Sequence, residues 1–187
     1  MDWLTILATV TGGAAALLGT VLAHSLRSRE ERRRSSSVAR RDSYVAYLVA
    51  LDAAYSRLRQ LADPDDPPEN LAVQVRRAFG EAGVYEARER LLLVGNPAVL
   101  GPAELVLQRL GAVRSAVRGG AKLHTRAFHD VYHPYAEALW RLRVAIREDL
   151  GSAPLTPADV AKESWDSQAA CELCRTHPAV PSEPAAA

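Results

Sequence analysis

The sequence predicts an all-α protein: one N-terminal transmembrane helix followed by an antiparallel four-helix bundle. Three observations carry this. Residues Trp3 to Leu26 contain no Asp, Glu, Lys or Arg. Behind them, apolar residues recur at alternating spacings of three and four, the period of helices packed side by side. Short proline- and glycine-rich breaks separate those stretches, and such breaks end helices.

The first element, residues 1–26, reads as a membrane anchor. Of the 24 residues from Trp3 to Leu26, fifteen are apolar and three are Gly. A helix of that length extends roughly 36 Å, enough for a hydrocarbon layer of about 30 Å. Thr side chains are tolerated there because their hydroxyls bond back to the helix, and Trp3 stands where an interfacial aromatic belongs. A cleaved signal peptide would carry its basic residues ahead of the apolar run; here they follow it. Gly12, Ala16 and Gly19 belong to rows of small residues four apart, which let two spans approach closely.

The basic juxtamembrane segment, 27–43, fixes orientation. Arg27, Arg29, Arg32, Arg33, Arg34, Arg40 and Arg41 are offset only by Glu30 and Glu31, leaving a net +5 over residues 27–41. Positive charge marks the cytoplasmic side, so a single-pass protein of the cell membrane is expected, with its N-terminus outside and everything from Arg27 onward cytoplasmic. The whole chain is only +1, so the basic character is local. Arg27, Arg29, Arg32, Arg33 and Arg34 are expected against anionic head groups, worth about 1 kcal/mol per basic residue near the surface. They lack interleaved aromatics, so nucleic acid is not an expected partner.

Residues 44–151 hold the four bundle segments. In the first, Tyr44, Leu48, Leu51, Tyr55, Leu58 and Ala62 are spaced 4, 3, 4, 3, 4. Three prolines, Pro64, Pro67 and Pro68, end it. The second, about 69–94, shows Leu71, Val75, Ala78, Ala82, Tyr85 and Leu92, with Glu89 interrupting the row. Gly95-Asn96-Pro97 stops it. The third repeats the heptad spacing through Val99, Ala103, Val106, Leu110, Val113 and Val117 and ends at Gly119-Gly120. The fourth, about 123–150, carries Phe128, Tyr132, Tyr135, Leu139, Leu142 and Ile146. Pro134 predicts a kink, or a start near Tyr132. The tyrosines are expected at the core edge, where each hydroxyl can reach a partner.

Residues 152–174 predict a short helix and linker. Thr156 and Pro157 offer an N-cap and a first helical position, and Val160, Trp165 and Leu173 are expected to dock it. The tail from 175 to 187 is rich in Pro and Ala and is expected to be disordered.

Candidate chemistry is sparse. Cys171 and Cys174 form a CxxC pair, and His177 supplies a third metal-ligand type close by. A tetrahedral zinc site needs a fourth ligand, which would come from a remote His or a second chain. The competing readings are inert thiols in a loose tail, which takes precedence, and a redox pair without a thioredoxin-like context. His129 and His133 stand four apart on one helical face and could hold a divalent metal, but a polar patch at a helix start is the reading that takes precedence. No cofactor is otherwise implied. The chain contains no GxxxxGK[ST], GxSxG or HExxH, the signatures of phosphate cradles, serine nucleophiles and zinc proteases, so no enzyme activity is expected.

Several stretches resemble a group of uncharacterised actinobacterial single-span membrane proteins with a cytoplasmic helical bundle. They are Met1-Asp2-Trp3 opening the span, Ala87 to Leu93 leading into Gly95-Asn96-Pro97, and Tyr135 to Trp140 running to Gly151. The likeness covers about residues 1–151; it implies a layout and no activity. The expected role is a membrane-tethered interaction or scaffold module. Its partners would be the lipid bilayer and a cytosolic protein, or a second copy through self-association. Two other roles stay open: a small effector or sensor acting through oligomerised spans, and a metal- or redox-linked regulator using the CxxC.

Overall fold

The computed structural model describes residues 3–63 and 69–176; within the first helix, the side chains of residues 3–23, 25, 26 and 33 lie outside that description. The described residues are all-α, with no strand among them. The helices are α1 (Trp3–Ala62), α2 (Leu71–Glu81), α3 (Val84–Val94), α4 (Pro97–Arg118), α5 (Arg126–Asp149) and α6 (Glu172–Thr176), with a 3-10 turn at Pro157–Val160. The chain divides into two compact units, Met1–Arg41 and Asp42–Ala187.

In the first unit the backbone is helical from Trp3 onward. Arg27, Arg29, Arg32 and Arg34 are exposed. Arg27 pairs with Glu31 at 3.5 Å and Arg34 with Glu30 at 3.1 Å, each one helical turn away. Among the described residues no helix is long and apolar enough to cross a membrane. The expected span, with Gly12, Ala16 and Gly19, falls on residues whose side chains lie outside the description, as does Arg33.

The second unit is a bundle of four legs. Three hydrogen bonds establish its directions. The Tyr44 hydroxyl donates to Asp149 Oδ2 at 2.7 Å, and the backbone N–H of Asn96 donates to the Tyr44 hydroxyl at 3.1 Å. So the start of α4 and the end of α5 meet near residue 44 of α1. At the other end, Leu123 N donates to Ala62 O at 3.0 Å, placing the end of α1 beside the α4–α5 connection. α1 and α4 therefore run one way, and α2–α3 and α5 run back, as expected of an up-down-up-down bundle.

Among the described residues, the buried core cluster lies on α1 to α5. Val99, Ala103, Val106, Leu110, Val113 and Val117 of α4 are all buried, so that heptad row is the inner face as expected. α1 and α5 are rotated slightly from their expected registers. Tyr47, Ala54 and Ala138 are buried, while Leu48, Tyr55, Tyr132 and Leu139 pack at the edge. Tyr47 tolerates full burial because its hydroxyl donates to Ala103 O at 3.0 Å. Tyr44 and Tyr135 are also buried rather than at the core edge.

The second leg differs most from expectation. It is two helices, broken at Ala82-Gly83, where Gly83 has φ +68°. That left-handed conformation is open to glycine and strained for other residues. The break resets the register: Val84, Ala87 and Leu91 turn inward, and Tyr85 and Leu92 are exposed. Pro134 is carried inside α5, which starts at Arg126, between the expected start at about 123 and the alternative one near Tyr132. α4 starts at Pro97, capped by Asn96 Oδ1, which accepts from Ala98 N at 3.1 Å.

Candidate metal centre

The first two turns of α5 carry the imidazoles. The helix begins after a turn in which Thr125 Oγ1 donates to Lys122 O at 2.7 Å. Arg126 and Asp130 then pair at 2.6 Å along the helix. A spacing of four puts His129 and His133 on one face, one turn apart. Phe128 fills the core beside them. His133 is buried, at 4% exposure, and His129 is half-buried.

The segment after α5 folds back onto this face. Its 3-10 turn is held by a capping box in which Thr156 N and Thr156 Oγ1 both donate to Asp159 Oδ2 at 2.7 Å. Those bonds hold the Asp159 carboxyl below its ordinary pKa. Further on, Trp165 stacks on Trp140 of α5, ring centroids 4.9 Å apart and planes within 19°. Arg143 and Lys162 also lie over the Trp140 ring, at 4.5 and 5.7 Å. Asp166 Oδ1 then accepts from Gln168 N, and Cys171 N donates to Gln168 O. The turn from Cys171 closes when Arg175 N donates to Cys171 O at 3.1 Å. Arg126 of α5 fastens it by donating to Cys174 O at 2.6 Å.

These two local patterns converge. One ligating atom from each of His129, His133, Cys171 and Cys174 lies within 4.8 Å of all the others. His129 Nδ1 is 3.3 Å from His133 Nε2 and 3.3 Å from Cys171 Sγ. A zinc tetrahedron built on Zn–N of about 2.0 Å and Zn–S of about 2.3 Å has edges of roughly 3.3–3.8 Å. The separation of the two imidazole nitrogens matches its nitrogen–nitrogen edge, and the separation of His129 from Cys171 lies close to its nitrogen–sulfur edge. Two imidazoles and two thiols are a donor set that selects zinc over calcium or magnesium, which take oxygen. Four protein ligands leave no open position, so the arrangement suits a structural rather than a hydrolytic metal.

The surroundings support metal binding. His133 Nδ1 lies 2.7 Å from Ser167 Oγ. With its proton on Nδ1 and donated to that hydroxyl, His133 keeps the Nε2 lone pair aimed into the site. Burial, and then the neighbouring His129, hold His133 below its ordinary pKa, which keeps the ring neutral and able to ligate. Burial, and then the adjacent Cys171 thiol, push Cys174 above its usual range. Two thiolates side by side in a half-buried site repel, and a dication removes that penalty.

Of the sequence candidates, Cys171 and Cys174 are in the site and Cys174 is buried. They are therefore not thiols in a loose tail, and Arg175 and Thr176, expected to be disordered, belong to helix α6. His177 lies outside the described residues. His129 and His133 are the remote imidazoles that the fold brings beside the CxxC. Exposed His124 is not in the cluster. Sequence reasoning missed Ser167, whose lone hydroxyl in a loop carries no pattern. Compared with known proteins, the chain matches no family model, no curated protein and no solved structure.

Proposed function

We propose that this protein is a membrane-tethered helical interaction module whose C-terminal segment is clamped onto its bundle by a zinc ion. The observation that carries the zinc half is the convergence of His129 and His133 with Cys171 and Cys174, 42 residues apart at their nearest hydrogen-bonded pair. The metal would be structural: zinc bridges two chain segments that otherwise meet through one aromatic stack and a few hydrogen bonds. The membrane half rests on the charge-free run of residues 3–26 and the net +5 that follows it. The two halves agree chemically. A cytoplasmic C-terminus lies in a reducing compartment, where thiols persist as metal ligands rather than pairing.

The test is metal analysis of the full-length protein purified in detergent from its native membranes. One zinc per chain is expected. H129A and C174S are each expected to lose it while retaining helical circular dichroism. Metal-free protein with intact thiols would overturn the zinc reading. Recovery of the full-length chain in the soluble fraction after carbonate washing would overturn the tether.

A further inference from the structure

The two sulfurs of the centre differ in access. Cys171 is half-buried, whereas Cys174 is buried, at 7% exposure. They are the only cysteines in the chain. The helical turn from Cys171 to Cys174 holds their Cα atoms about 5 Å apart by helix geometry, inside the disulfide range of about 4.4–6.8 Å. From Ala161 to Cys171 the segment has no helix or strand to resist a small adjustment.

We infer that the centre is a peroxide-responsive thiol switch: oxidation joins Cys171 to Cys174, expels the zinc and releases segment 161–176 from α5. This rests on the zinc reading above. The Cys171 sulfur attacks one oxygen of hydrogen peroxide and the O–O bond breaks. A sulfenic acid forms and the departing hydroxide takes a proton to become water. The Cys174 sulfur then attacks that sulfenic sulfur. The S–S bond forms, the S–O bond breaks, and the second hydroxide leaves as water after taking a proton. Each sulfur loses one electron and peroxide gains two. A disulfide is a poor zinc ligand, and two imidazoles alone leave the tetrahedron half empty.

Among the contacts described, what remains on the segment is the Trp140–Trp165 stack, Lys162 over the Trp140 ring, the Ser167–His133 contact and the bond from Arg126 to Cys174 O. The core cluster contains no residue beyond Ile146. Release is therefore local and leaves the bundle folded.

The experiment treats the zinc-loaded full-length protein in detergent with hydrogen peroxide and follows three readouts. These are zinc captured by a chromogenic chelator, intact mass, and tryptic cleavage at Lys162 and Arg175. One zinc released per disulfide, a mass lower by two hydrogens, faster cleavage, and reversal by dithiothreitol with added zinc are expected. C171H keeps four ligands but lacks the pair; it is expected to release zinc about tenfold more slowly, since only the buried thiol remains to be oxidised. Equal release rates in C171H and the unmodified chain would overturn the switch, as would zinc that stays bound while peroxide consumes the thiols. If C171H fails to fold, the ratio of zinc to disulfide in the unmodified chain decides alone. Absence of zinc before peroxide is added defeats the metal reading itself, a result separable from zinc that is bound and not released.

Discussion

Single side chains divide into those with a partner to lose and those without. The Tyr44 hydroxyl donates to Asp149 and accepts from Asn96 N, and the Asn96 side chain also bonds Asp149. Y44F removes a hydrogen bond to a charged group and orphans a backbone N–H. It is expected to cost about 1–3 kcal/mol in urea unfolding. The Tyr135 hydroxyl is buried with no partner among the described residues. Y135F is therefore expected to be neutral, or to stabilise by up to about 1 kcal/mol, since removal spares a desolvated group. At the proposed metal centre, Ser167 touches His133 on Nδ1, the ring nitrogen that does not face His129. S167A is expected to weaken zinc affinity about 10- to 100-fold in chelator competition, while the zinc stoichiometry at saturation stays unchanged.

At the scale of elements, the break between α2 and α3 shows how a local rule overrides a heptad pattern. The row through Ala82, Tyr85 and Leu92 continues on paper, but Gly83 adopts φ +68° and the next helix begins in a new register. Two glycines three apart, Gly80 and Gly83, were the available signal, and Glu89 in the apolar row was its symptom. Their roles differ. Gly80 lies within α2, and a Cβ there would meet nothing within 4 Å. G80A is expected to stabilise by about 0.5–1 kcal/mol through helix propensity, and G83A to destabilise by about 1–2 kcal/mol through backbone strain. Thermal melts of the two variants are expected to move in opposite directions.

For the whole molecule, the bundle and the C-terminal segment are stabilised by different forces. The bundle rests on apolar burial along α1 to α5, which is indifferent to metal. The segment rests on the stack, a few polar contacts and the ligand set. Chelation of zinc in the second unit is therefore expected to leave helical circular dichroism nearly unchanged while exposing Lys162 and Arg175 to trypsin. A cooperative loss of helix on chelation would show that metal and core are coupled, contrary to this division.

The all-helical class and the inner face of α4 are legible in the order of the residues, and so are both halves of the candidate metal set. Those are properties of residues near one another in the chain, where periodicity and ligand spacing follow directly from helix geometry. That the halves belong together follows from packing alone. Neither pair completes a tetrahedron, and each had an ordinary explanation alone. What unites them is a chain reversal after α5, held by Trp165 on Trp140, that returns Cys171 and Cys174 to a helix face 42 residues earlier. Ligand geometry across such a distance depends on packing, which no local spacing encodes.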